Sequence, residues 1–174
     1  LVDAGIPDDA FKPVTGDDKP TASAIRKRNK QERELYLRGL EQQTLFDAPA
    51  TDGAATLAEQ LRALDATEAA TVSEVRAKAA RYRKLREGAD AEFARFNLWA
   101  AAFFQPLTPE NARLVPTTRD LLAQPAALTV ANPKVAVATA TAAEASFFHW
   151  ELEFPQVFHH KDTGAFHHKG TKDT

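Results

Sequence analysis

The sequence predicts a mainly α-helical fold: antiparallel helices around a hairpin over residues 56–104, joined by long loops, with little or no sheet. Three observations carry this. Apolar residues recur at spacings of three and four over residues 57–64, 72–85 and 93–103, the period of one helix face. Capping residues and prolines stand where these stretches begin or end. The one alternating β-branched run, "VAVATAT", continues into Ala-Ala-Glu-Ala with no turn between them, which favours helix over its strand rival.

Taken in order, residues 1–18 are acidic and punctuated by Pro7, Pro13 and Gly16, and read as loop. Pro20, at a first-turn position, opens a polar basic helix that closes near Gly39. Residues 41–55, with Pro49 and Gly53, read as a linker loop. A helix resumes at Thr56 with Leu57, Leu61 and Leu64 on one stripe. Thr71 and Glu74 fit a capping box. The helix they open has an inward stripe of Val72, Val75, Ala79, Tyr82 and Leu85 or Arg86, and Gly88 stops it. A third helix from about Asp90 carries Phe93, Phe96, Ala100 and Phe103, with Trp99 beside them, and Gly88 reads as the tight turn of the hairpin. Residues 105–118 are a Pro-broken loop, and Thr117 or Thr118 caps a short helix through Leu121 and Leu122. Asn132-Pro133 caps a helix over 134–146. The string "FFHWELEFPQVF" follows, and residues 159–174 are a polar His-rich tail that reads as disordered.

A chain of 174 residues is about one domain's worth, here with a core leaning on Ala. A net charge of −2 gives no global sign of nucleic acid, so any such sign lies in local clusters. With no Cys, disulfides, thiolate nucleophiles and Cys-based zinc sites are excluded. The sequence lacks an apolar run long enough to span a bilayer. It also shows no basic and apolar leader, so a cytoplasmic location is the expectation. Leu rather than Met at position 1 reads as a fragment.

Catalytic motifs are missing. The sequence has no Gly-rich phosphate loop, no Gly-x-Ser-x-Gly elbow and no His-Glu-x-x-His. Asn132-Pro133 starts like an Asn-Pro-Pro-aromatic tetrapeptide but fails at Lys134. No catalytic, cofactor-binding or metal-ligating residue is therefore assigned. His159, His160, His167 and His168 offer imidazoles without a rigid scaffold, which suits adventitious metal better than a built site. His149, with Glu151 nearby, has the makings of an acid–base pair, but a packed, hydrogen-bonded histidine is the commoner case. Two basic stretches remain: Arg26, Lys27, Arg28, Lys30 and Arg33 on the first helix, and Arg76, Lys78, Arg81, Arg83, Lys84 and Arg86 on the helix after Thr71, with Arg26, Arg28, Lys30, Arg76, Arg83, Lys84 and Arg86 the candidate phosphate contacts. They read either as contacts to a DNA backbone or as solvated faces.

Several strings resemble one family. "FFHWELEFPQVF" is similar to the phrase just upstream of the catalytic Asn-Pro-Pro-aromatic motif in large adenine-specific DNA methyltransferases, of the type IIG restriction–modification and BREX or DISARM phage-defence kinds. "IPDDAFKPVTGDDK" with "IRKRNKQER" and "TLFD" resembles the start of the segment these enzymes insert before that motif, and "NLWAAAFFQPLT" with "VPTT" its middle. The resemblance covers about residues 1–158, and the first phrase is its most specific part.

It implies a parent enzyme that transfers methyl from S-adenosylmethionine to adenine N6. The cofactor pocket would precede this segment and the base-holding motif would follow it, so no cofactor is expected in this chain itself. The module over 56–158 would end in a docking segment, with Phe147, Phe148, His149, Trp150, Phe154 and Phe158 packing on the catalytic domain. Weak, non-specific DNA contact would come from the basic helices. The rival reading is a stand-alone helical protein-interaction module with no role in methylation.

Overall fold

A computed structural model of the chain describes residues 2–43, 53–154 and 157. Among the described residues, two 3-10 turns, Val2–Ala4 and Asp8–Phe11, precede seven helices: α1 (Lys19–Gln43), α2 (Gly53–Asp65), α3 (Val72–Gly88), α4 (Asp90–Ala101), the one-turn α5 (Thr118–Leu121), α6 (Pro133–Glu144) and the one-turn α7 (Trp150–Glu153). A third 3-10 turn, Pro125–Ala127, lies between α5 and α6. The fold is mainly α, with no strand among the described residues.

Local chemistry sets the helix starts. Asp18 opens α1: its carboxylate accepts from Thr21 N at 2.9 Å, and the Thr21 hydroxyl first and its amide second hold the Asp18 carboxyl below its usual range. The helix runs through Gln43 rather than closing at Gly39, because Gly39 does not enter the left-handed conformation that ends helices. The expected linker is correspondingly shorter at both ends, and residues 44–52 lie outside the described set. The capping box on α3 is present: Glu74 Oε2 accepts from Thr71 N at 2.8 Å, and Thr71 Oγ1 accepts from Glu74 N at 3.3 Å. Thr117 precedes α5, with its amide donating to Asp120 Oδ2 at 2.8 Å. Asn132 Oδ1 accepts from Lys134 N at 3.0 Å, and Pro133 fills the first turn of α6.

The core is built on α4. Ala94, Phe96, Leu98 and Ala101 are buried, and α6 packs along the helix with Val135 and Ala138. The expected single stripe of Phe93, Phe96, Ala100 and Phe103 is therefore too narrow. A helix with neighbours on several sides is apolar around most of its circumference, and Phe103 points outward.

The acidic start, expected to be loop, supplies the two largest fully buried side chains among the described residues. Ile6 and Phe11 are both fully enclosed, packed with Ala22 and Ile25 of α1 and the α4 residues. The Pro-broken stretch after α4 likewise buries Leu107 and Val115. Acid content and prolines mask these residues from a periodicity argument, since 3-10 turns repeat too briefly to show one.

A second, smaller cluster joins Leu57, Leu61 and Leu64 of α2 to Ala89, with Leu85 and Phe93 against it. Ala89 alone links α3 to α4. α3 packs on α2 more than on α4, and α2 also meets α7. None of the seventeen residues of α3 is buried, so the stripe of Val72, Val75, Ala79 and Tyr82 expected to face inward is on the surface. The 3-4-3 spacing was real, but the core already has α6 in the place beside α4.

Candidate functional site

The aromatic string leaves α6 through a tight turn. Ser146 takes φ 53°, Phe147 N donates to Ala142 O at 2.9 Å, and Ser146 N donates to Ala143 O at 3.4 Å, the paired bonds of a Schellman exit. The chain then alternates. Phe147, His149 and Leu152 turn toward the core, while Phe148, Trp150 and Phe154 stay exposed.

The inward set is held by α4. His149 Nε2 lies 2.7 Å from Asn97 Oδ1; since that oxygen can only accept, Nε2 carries the proton. The ring sits 5.5 Å from Phe96 and 6.2 Å from Phe147, centroid to centroid. Burial pushes the His149 imidazole below its ordinary pKa, with the charge of Glu153 partly opposing. This is the packed, hydrogen-bonded environment of the commoner case.

The outward set forms its own cluster. Phe148 meets Trp150 edge-on at 4.8 Å, and Trp150 stacks on Phe154 at 5.7 Å. Between the two sets lies a cavity of about 410 Å³, lined chiefly by Phe96, Trp99, Phe104, Phe147, Phe148 and Trp150. Phe158, the sixth expected docking residue, and the four tail histidines lie outside the described residues.

The basic residues divide by environment. Arg86 is engaged within the protein. Its guanidinium lies 3.9 Å over the Phe93 ring, and Nη1 is 2.8 Å from Glu153 Oε1, an ion contact off the N–H direction rather than a hydrogen bond. Arg86 thus clasps α3 to the aromatic string and is a poor candidate for phosphate. Arg28 lies 3.9 Å from Glu32 and on a different side of α1 from Arg26 and Lys30, which share one face at i, i+4. Arg76, Arg83 and Lys84 are exposed, and none makes a hydrogen bond or ion pair among the described residues. Lys84 and Arg81 overlook a cleft of about 790 Å³ floored by Leu57, Leu64 and Leu85.

A polar knot missed at the sequence level ties three distant segments together. Asn29 is fully buried in α1. Its Nδ2 donates to Ile6 O at 2.8 Å, and its Oδ1 accepts from Thr118 N and Thr118 Oγ1. Thr118 Oγ1 in turn accepts from Ile6 N at 3.0 Å. Arg33 adds a bond to Ile6 O at 3.2 Å and stands 3.1 Å from Asp8 Oδ1, and Trp99 Nε1 donates to Gly5 O at 3.2 Å. Asp17 joins a further pair of segments, accepting from Leu107 N at 2.8 Å. The one available signal was Asn29 itself, a short amide and poor helix former set among long charged side chains.

No group of three or more His, Asp or Glu able to hold a metal occurs among the described residues. No described helix is long and apolar enough to cross a membrane. No protein-family model matches the chain, and neither does any curated protein or solved structure.

Proposed function

We propose that this chain is the helical insertion of an adenine-N6 DNA methyltransferase from a restriction–modification or phage-defence system. It packs on the catalytic domain through its exposed aromatic edge and contacts the DNA backbone weakly through α1 and α3. The observation that carries this reading is the Asn29 knot. The strings "IPDDAF", "IRKRNKQER" and "VPTT", scattered over more than a hundred residues, converge through Ile6, Asn29 and Thr118 on one buried hydrogen-bond network. Strings that resemble one insertion segment are thereby also the strings that hold this fold together, which is what a shared architecture requires.

The exposed trio Phe148, Trp150 and Phe154 supports docking, since clustered surface aromatics beside an apolar cavity mark interfaces. Arg26 and Lys30 on α1, with Arg76, Arg83 and Lys84 on α3, supply cations for phosphate; Arg86 and Arg28 do not join them. The methyl donor, S-adenosylmethionine, would belong to the catalytic domain.

The test is the coding frame on both sides of this segment. The proposal expects a Gly-rich cofactor turn before it and an Asn-Pro-Pro-aromatic motif soon after Phe158. A frame with neither would leave the stand-alone interaction module as the reading.

A further inference from the structure

α3 presents an unpartnered face. A helix of seventeen residues with none buried gains little from tertiary packing, yet this one spends apolar side chains on solvent. Val72 is 69% exposed, Val75 53% and Tyr82 40%. With Ala79 they fall at spacings of three, four and three, the a and d positions of two successive heptads. Arg76 and Arg83 occupy the position after each d residue, along one flank of the seam. On the other flank Lys78 donates to Asp65 O at 3.1 Å and Thr67 O at 3.2 Å, which fixes α3 against the end of α2 and leaves the seam outward.

The charges select among occupants. Glu74 is used up in the capping box, so the body of the seam is flanked by cations alone, with Glu87 only at its end. A second copy of α3 laid antiparallel on this seam would bring arginine against arginine, and laid parallel would bring Arg83 against Lys78, which is destabilising in either direction. A DNA backbone would accept Arg76 and Arg83 but has nothing to cover Val72, Val75 and Tyr82. An amphipathic helix with aliphatic a and d residues and carboxylates on its flanks satisfies both requirements at once.

We propose that the Val72–Val75–Ala79–Tyr82 face of α3 docks an acidic amphipathic helix of a protein partner, with Arg76 and Arg83 pairing its carboxylates. The seam does not depend on the methyltransferase reading. Where both hold, helix and duplex compete for Arg76 and Arg83.

The test uses the full chain and two designed peptides of about three heptads with Leu at a and d. One carries Glu at e and g, the other Lys; their like charges keep each from pairing with itself. Binding is read by fluorescence anisotropy, with circular dichroism as the check on folding. The Glu peptide should bind about tenfold or more tighter than the Lys peptide, and Arg76→Glu with Arg83→Glu should reverse that order. Val75→Ser with Tyr82→Ser should weaken the Glu peptide by at least about tenfold, because the exposed seam contributes the apolar contact and neither substitution adds charge. Equal binding of the two peptides, or none, overturns the proposal. So does Glu-peptide binding indifferent to Val75 and Tyr82: the arginines would then form only an anion-binding face.

Discussion

Asn29 and Thr118 are joined twice, Asn29 Oδ1 accepting from the Thr118 amide at 2.8 Å and from its hydroxyl at 2.9 Å. Eighty-nine residues separate them in sequence. The pair fixes the start of α5 against the middle of α1, and Ile6 closes the ring by bonding to both. A buried amide with every nearby partner satisfied stabilises only while the set is complete.

Asn29→Ala is therefore expected to destabilise the chain by on the order of 3 kcal/mol, since the Thr118 amide and hydroxyl and the Ile6 carbonyl all lose a buried partner. Urea denaturation monitored by circular dichroism checks this. A loss no larger than that of an exposed α1 substitution such as Arg26→Ala would refute the structural role of the knot.

Two glycines with positive φ separate packing from backbone strain. Gly5 has φ 76°, and a Cβ there would meet Thr118 Oγ1 and Cγ2 at 2.8 Å. Gly16 has φ 98° and open space around it. Gly16→Ala should cost about 1 kcal/mol for the left-handed backbone alone, and Gly5→Ala roughly 2–4 kcal/mol because Thr118 must also move out of the knot. Equal losses in thermal melts would contradict the close approach of Gly5 to Thr118.

His149 gives the fold a pH dependence of known sign. Its folded pKa is lowered, first by burial, so the folded state prefers the neutral ring and binds fewer protons than the unfolded chain. Its contribution is complete above the ordinary imidazole value of about 6.5 and is lost as pH falls through that value toward the lower folded one. Stability curves of the native chain and His149→Gln, in which the amide can still donate to Asn97 Oδ1, should converge in slope above neutrality and diverge below it. Identical slopes throughout would remove His149 as the titrating group.

Duplex binding should be weak and indifferent to sequence, with a log–log salt slope on the order of −2 to −3, because few cations can reach one backbone together. Arg26→Glu with Lys30→Glu should lower affinity by the same factor on every duplex and leave the melting temperature nearly unchanged. A variant that binds as well as the native chain would take α1 out of the interface.

Much of the helix pattern was legible in the sequence because caps are local chemistry. Thr71 with Glu74, and Asn132 with Pro133, mark helix starts that need no tertiary information. What periodicity could not tell was the direction of a face. Val72, Val75 and Tyr82 have the spacing of a core stripe, but the place beside α4 is filled by α6, a long-range outcome invisible within α3. The acidic start failed for the opposite reason: Ile6 and Phe11 are core residues without a repeat. The aromatic string was recognised as an edge, yet which members turn inward depended on Asn97, a residue of α4 that the sequence reading passed over. Arg86 counted as a free cation until the fold brought Phe93 and Glu153 to it.

The central claim is that this module serves an adenine-N6 DNA methyltransferase through its aromatic edge. The most direct measurement is mass-spectrometric quantification of N6-methyladenine in DNA from cells expressing the intact coding frame, with and without Phe148→Asp and Trp150→Asp. The account predicts N6-methyladenine from the intact frame. It predicts at least about a tenfold loss in the double variant, whose exposed substitutions remove docking contacts rather than core. An intact frame that is expressed and folded but leaves adenine unmethylated would contradict it.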